Sequence, residues 1–229
     1  MRSGRYRAST GDGECDVVIE TDSRIILLEL KRKSLTRRSR SADAWALLRD
    51  LQHAFLEPQK QLGGHELALW RDGKLRLDDG TTVVRGDRDI ERVALTLFDY
   101  GAFHTRDVSM QLLDLVAGAV VSSPEADQKQ VEKLNTLLGV LGQQARELME
   151  LRSTDRPHFG CWFLGMPQFL VLLEHVDGSE SFWTELKRTR HMSTGRLSWF
   201  AEHEYMRSLP ELAKHADAVS TKATIVVGG

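Results

Sequence analysis

Apolar residues alternate with polar ones, or run together, in two adjacent stretches near the start of the chain. Gly13-Glu14-Cys15-Asp16-Val17-Val18-Ile19-Glu20 and Arg24-Ile25-Ile26-Leu27-Leu28-Glu29-Leu30-Lys31 flank Thr21-Asp22-Ser23. β-Branched and aliphatic residues around turn chemistry predict a β-hairpin. A turn centred near Asp22 and Ser23 sets Asp16 across from Glu29, and Glu20 across from Arg24 or Ile25. Side chains alternate faces along a strand, so Val17, Ile19, Ile26, Leu28 and Leu30 are predicted to share one apolar face. Asp16, Glu29 and Lys31 then point the other way, beside Val18, Ile25 and Leu27. That second face also reads as buried.

Further along, Asp43 is a helix cap for Trp45, Leu48, Leu51 and Phe55 at core spacing. Pro58 is expected to break or restart that helix, with Gln61 in a short turn after it and Gly63-Gly64 ending the element. Residues 66–85 read as hairpin-like, with Leu67-Ala68-Leu69-Trp70, Lys74-Leu75-Arg76-Leu77 and Thr81-Thr82-Val83-Val84 as strands punctuated by Asp-Gly turns. Arg92 to Phe98 is a central strand by its nearly unbroken apolar character, ended by Tyr100-Gly101. Asp107 to Val121 and Pro124 to Arg152 read as two helices. The second carries a leucine stripe (Leu134, Leu138, Leu141, Leu148) that fits core packing or a packing arm. Phe159 to Leu164 is a predicted strand, with Gly165 ending it and Pro167 opening a helix to about His175. Phe182 to Met192 and Leu197 to Leu209 are amphipathic helices. The tail Ala223 to Gly229 reads as an edge strand or as disordered, and residues 1–12 as a basic, unpatterned and flexible lead-in. A single domain over residues 13–229 is expected, with a helical elaboration at about 105–153.

Composition adds exclusions. The chain has 229 residues, 41% hydrophobic and 28% charged, ordinary values for a soluble domain with a substantial core. A net charge of −2 gives no global attraction to nucleic acid, so such binding needs a local patch. Cys15 and Cys161 have no CxxC partners, which rules out a zinc ribbon and fits reduced thiols in a cytoplasmic protein. No apolar run approaches about 18 residues, so no membrane partner is expected. P-loop, GxGxxG, HExxH and GxSxG patterns are missing, and the histidines are scattered singly.

The chemistry therefore concentrates in the hairpin. Two carboxylates opposed at about 5 Å repel unless a cation lies between them. At the edge of a buried face, with a lysine two residues from one of them, they point to a metal site. Glu14 shares their face one step nearer the strand end and is an auxiliary ligand or a cap. The competing reading is a surface hairpin ending in a Glu–Lys ion pair, worth under about 1 kcal/mol. That account leaves Asp16 opposite Glu29 unexplained. The run Lys31 to Arg40 holds six basic residues in ten. Arg32, Lys33, Arg37, Arg38 and Arg40 form a solvated loop in isolation, but beside a phosphodiester site they become phosphate contacts. Lys187 to His191 is either a second such surface or a helix end whose cations complement the dipole.

Asp16, a thirteen-residue step and Glu29-Leu30-Lys31 resemble the active-site pattern of the PD-(D/E)XK nuclease superfamily. The wording GECDVVI…LLELKRK is most similar to its nuclease-related (NERD-type) branch, which has a Glu-x-Asp strand followed by a Glu-x-Lys strand. Pro58, Gln61 and His65 sit much as that branch places a Pro, a Gln and a His on the helix after the lysine strand. The resemblance covers roughly residues 11–70. It implies an α/β restriction-endonuclease-like core: a small mixed sheet flanked by helices, here with extra helices in the C-terminal half. It also implies a Mg²⁺-dependent deoxyribonuclease, with Mn²⁺ able to substitute, in microbial DNA processing or defence against foreign DNA. Asp16, Glu29 and the Leu30 carbonyl would hold the metal, Lys31 would act as the catalytic cation, and Gln61 would hold the lysine or a water. DNA is the expected partner, with a homodimer or a partner protein left open. The family also has a helix before the first core strand, often with another acidic residue, and residues 1–12 leave no room for one. Either the chain is part of a longer protein or a helix from elsewhere fills that place. The alternative function is a catalytically inactive nuclease-fold protein that binds nucleic acid or a protein partner.

Overall fold

A computed structural model describes residues 2–9, 11–123, 126–190, 195 and 197–209. Three strands open the chain: β1 (Arg2–Ala8), β2 (Gly11–Glu20) and β3 (Arg24–Lys31). The β2–β3 register pairs Val17 with Leu28, Val18 with Leu27, Ile19 with Ile26 and Glu20 with Ile25, so the hairpin and its turn fall where the sequence puts them. The lead-in is a strand rather than a loose segment. Arg5-Tyr6-Arg7 alternates, and Tyr6 is the buried member. Its ring lies where a Cβ on Gly13 would stand only 2.5 Å away, and its hydroxyl bonds His65 Nδ1. One inward aromatic anchors the strand.

The helical run also differs from expectation. A four-residue helix α1 (Arg37–Arg40) occupies the basic stretch, and α2 (Ala44–Leu51) follows, capped by Asp43 accepting from Ala46 N at 2.8 Å. A π-helical turn (Gln52–Leu56) then leads without a break into α3 (Glu57–Asp72). The widened turn lies just ahead of Pro58, where the missing N–H and the ring disturb ordinary α-helical bonding. Gln61 and Gly63-Gly64 are therefore inside α3, and Leu67 to Trp70 is helix and not strand. Leu62, His65, Glu66 and Leu69 are buried at helical spacing, and Gly73 in the left-handed conformation (φ 71°) ends the helix. Gly63 is required by packing: an added Cβ would come within 2.6 Å of Gln144 Oε1 and 3.0 Å of Arg92 Nη1.

The remaining elements are β4 (Lys74–Arg76), β5 (Thr82–Val84), β6 (Asp89–Thr96), α4 (Arg106–Val116), α5 (Gln128–Arg152), β7 (Cys161–Gly165), α6 (Met166–Leu173), α7 (Ser179–Leu186) and α8 (Trp199–Ser208). Helix α4 stops five residues short of Val121, because Gly118 turns the chain at φ 81° and donates its N–H to Leu138 O. A 3₁₀ turn (Lys187–Thr189) takes over after α7, and Met192 lies outside the described residues, as do Pro124 and the tail Ala223–Gly229.

The main sheet is mixed, in the order β1-β2-β3-β6-β7, with β1, β2 and β3 antiparallel and β3, β6 and β7 parallel. β4 and β5 form a separate hairpin that joins β1 through a Tyr6–Leu77 bridge. One sheet face presents Ile25, Leu27, Ala94 and Phe163 to the α2–α5 layer, and the other presents Ile26, Leu28, Val93 and Trp162 to α6, α7 and Trp199 of α8. The leucine stripe of α5 is core: Leu134, Leu138 and Leu141 pack with Leu113 and Phe163. The expected elaboration is thus one wall of the fold. Among the described residues, no helix is long and apolar enough to cross a membrane.

Candidate metal and nucleic-acid site

Glu29 lies on β3, the middle strand of the sheet, so the Glu–Lys pair is not at the tip of a surface hairpin. Its side chain is buried and its residue only 3% exposed. Lys31, two residues on, shares that face and brings Nζ to 2.6 Å from Glu29 Oε1. Glu29 Oε2 is buried with no hydrogen-bond partner. A buried carboxylate oxygen left bare costs about 1–3 kcal/mol or more, unless something outside the protein engages it.

Asp16 enters from β2. The β1–β2 register slips between the Arg2–Val18 and Gly4–Cys15 pairs, so Cys15 and Val18 reach the same core although they are three apart. Asp16 sits in that irregular step, and its Oδ2 accepts the Leu30 N–H at 2.8 Å. The Lys31 carbonyl accepts from Leu97 N on the β6 side. Strand alternation turns the Leu30 carbonyl the opposite way, toward β2 and Asp16. Leu30 itself projects beyond the helices and is 43% exposed, so it does not extend the apolar face.

Glu29 feels its charged neighbours. Burial pushes the Glu29 carboxyl up; the hydrogen bond and charge of Lys31 oppose this, and Asp16 and Glu14 add to it. Burial also pushes the Cys15 thiol up to about 12, with Glu29 and Asp16 contributing. Cys15 is therefore a packed thiol, neither nucleophile nor ligand. Glu14 is more exposed and pairs with Arg5 at 3.2 Å.

Among the described residues, no three or more His, Cys, Asp or Glu side chains are grouped to hold a metal. Two carboxylates, one backbone carbonyl and waters nevertheless suit Mg²⁺, which keeps several waters and takes few protein ligands. The bare Glu29 Oε2 is the atom such an ion would occupy. The donor set fits that cation better than zinc, which would call for nitrogen or sulfur.

Gln61 stands on α3 in a cleft with Glu14, Gly13, His65 and Lys60, and no hydrogen bond joins it to Lys31 or Glu29. His65 is buried beside it. Burial lowers its pKa to about 4, with the Glu14 backbone and Asp16 acting against the shift. The sequence marks His65 only through its spacing; Tyr6, its partner, is signalled by nothing except a lone aromatic among arginines.

The basic run is divided by its neighbours. Lys33 Nζ lies 2.8 Å from Asp50 Oδ1, and Asp50 also accepts from Thr36 N and the Ser39 hydroxyl at 2.5 Å each. The Lys33 carbonyl accepts from the Thr96 and Tyr100 hydroxyls, each at 3.1 Å. Arg38 pairs with Asp43. Arg32, Arg37 and Arg40 are exposed and free of acidic partners among the described residues. The segment is thus a pinned ledge rather than a loose loop. The Lys187–His191 cluster resolves differently: Arg190 lies against Glu91, Trp162 and Trp183, and Arg188 pairs with Glu185 at 2.8 Å. Those two are structural cations, and His191 lies outside the described residues.

Comparison with protein-family models, curated proteins and solved structures finds no match.

Proposed function

We propose that the chain is a Mg²⁺-dependent nuclease that hydrolyses DNA phosphodiester bonds. The observation that carries this reading is the buried Glu29 carboxylate: one oxygen held by Lys31 at 2.6 Å, the other bare, with Asp16 acting on it from the neighbouring strand. The restriction-endonuclease-like description of the core belongs to the same reading. The mixed sheet, with its acids on two adjacent antiparallel strands, supports it.

Asp16, Glu29 and the Leu30 carbonyl would hold the ion, which supplies charge neutralisation and a lowered pKa for water. Lys31 is 28% exposed at its side chain, so its ammonium can reach a substrate oxygen while still near Glu29. It orients the attacking water and stabilises charge on the non-bridging phosphate oxygens as the new P–O bond forms. The attacking water gives up its proton to solvent, the bridging P–O bond breaks, and the departing oxygen takes a proton from solvent. Leu30 N–H holds Asp16 Oδ2 and leaves Oδ1 for the ion. Arg32, Arg37 and Arg40 supply phosphate contacts without reading sequence.

Supercoiled plasmid, linear DNA and a matched RNA, each incubated with Mg²⁺, Mn²⁺ or EDTA, test the proposal. Metal-dependent cutting of DNA that disappears in Asp16→Ala and Lys31→Ala, with both variants folded by circular dichroism, is the expected result. Cutting that survives EDTA or both substitutions would refute it. Binding without cutting in wild type and variants alike would instead favour a non-catalytic nucleic-acid-binding protein. The lack of a third grouped side-chain ligand among the described residues is the observation on that side.

A further inference from the structure

Three clefts join end to end across the face that carries Glu14. The first, about 680 Å³, is bordered by Arg5 and Arg76; the second, about 530 Å³, shares Tyr6, Asp12, Gly13 and Glu14 with it. The third, about 570 Å³, shares Lys60, Gln61 and Val140 with the second and runs on to Arg49 and Lys133, between the π-helical turn and α5. Together they make one groove. Of the residues discussed for the candidate site, Glu14, Gln61 and His65 line it.

Charge in this groove is lopsided. Three of its acids are engaged, Glu14 by Arg5, Asp12 by Arg7 and Glu57 by His53, while Asp78 lines the first cleft with Arg76. Arg49, Lys60, Arg76 and Lys133 have no acidic partner among the described residues. The walls also hold buried polar atoms without hydrogen-bond partners: Arg49 Nε and Gln52 Oε1 in the third cleft, His65 Nε2 and Gln144 Oε1 in the second. Each cleft has the size that takes one drug-sized or nucleotide-sized unit, roughly 300–1,000 Å³. No exposed aromatic platform lies in the groove, so attraction must come from phosphates rather than stacked bases.

We infer that a single strand of nucleic acid lies along this groove, its phosphates drawn by Arg49, Lys60 and Lys133 at one end and by Arg76 at the other. This rests on the nuclease reading for the cutting of the bound strand, but not for the binding itself.

Fluorescence anisotropy of the full chain in EDTA, with a roughly twelve-nucleotide labelled single strand and the same sequence as duplex, tests it across a salt series. Wild type should bind the single strand more tightly. Lys60→Ala/Lys133→Ala should weaken it about tenfold and flatten the log–log salt slope by about 1.4, at about 0.7 per lost phosphate contact. Arg156→Ala, an exposed cation outside the groove, should change nothing. Absence of single-strand binding, a preference for duplex, or an unaltered double variant would overturn the inference. So would loss of binding only in Arg32→Ala/Arg37→Ala/Arg40→Ala. Groove-dependent binding without metal-dependent cutting would leave this inference standing and remove the nuclease reading. Metal-dependent cutting by a double variant that binds and cuts like wild type would do the reverse.

Discussion

Asp50 is the group through which the fold orders the basic ledge, and replacing it gives a calculable loss. Its residue is 2% exposed, and its carboxylate takes Lys33 Nζ at 2.8 Å, Thr36 N and the Ser39 hydroxyl. Burial alone would raise its pKa, but the hydrogen bonds from Lys33, Ser39 and Thr36 outweigh burial and hold it at about 2, against 3.8 for a free aspartate. A folded pKa below the unfolded one stabilises at pH values above the unfolded pKa, and that stabilisation is lost as pH falls through the folded value. The difference corresponds to about 2.4 kcal/mol at neutral pH, at about 1.36 kcal/mol per pH unit. By the same linkage about 1.3 kcal/mol remains at pH 3. Asp50→Asn should therefore lose about 2.4 kcal/mol in urea titrations at pH 7, a fall of roughly 5–10 °C in Tm for a domain of this size. The gap to wild type should shrink to about 1.3 kcal/mol at pH 3. A gap below about 0.5 kcal/mol at pH 7, or one that stays constant between pH 7 and 3, would show that Asp50 is not the ionised anchor of this segment.

His65 should make stability pH-dependent over a higher range. Its pKa is lowered by burial from 6.5 to about 4, so the neutral ring is favoured in the fold; stability is full above about pH 6.5 and falls by about 3 kcal/mol as pH drops toward 4. His65→Leu should flatten that slope in urea titrations between pH 7 and 4.5, and an unchanged slope would assign it to other groups. Gly142→Ala should cost about 1–3 kcal/mol, because the new Cβ would meet the Gly118 Cα and N at 2.7 Å, backbone atoms that cannot rotate away. A thermal melt within about 1 °C of wild type would contradict that contact.

The chain's own pattern determined the hairpin and its register, because a period of two with buried positions on both faces admits no slip without burying a charge or exposing Ile26 and Leu28. That register sets Glu29 and Lys31 on one face of β3, and the central strand at Arg92 and the core stripe of α5 follow from unbroken or 3.6-periodic apolar spacing. Local signals misled where long-range packing outweighed them. Gly63-Gly64 looks like a helix end but is a close approach of α3 to Gln144 and Arg92, and the Arg-rich start is a strand because one tyrosine finds Gly13 and His65 across the fold. Which cations are free was likewise decided only in three dimensions. Lys33 and Arg38 look like Arg32 and Arg37 in sequence, yet Asp50 and Asp43 take the first two and leave the others to solvent. A groove lined by Arg49, Lys60, Lys133 and Arg76 has no sequence signature at all, because its members come from four separate elements and meet only when α3 and α5 pack beside β1 and β2.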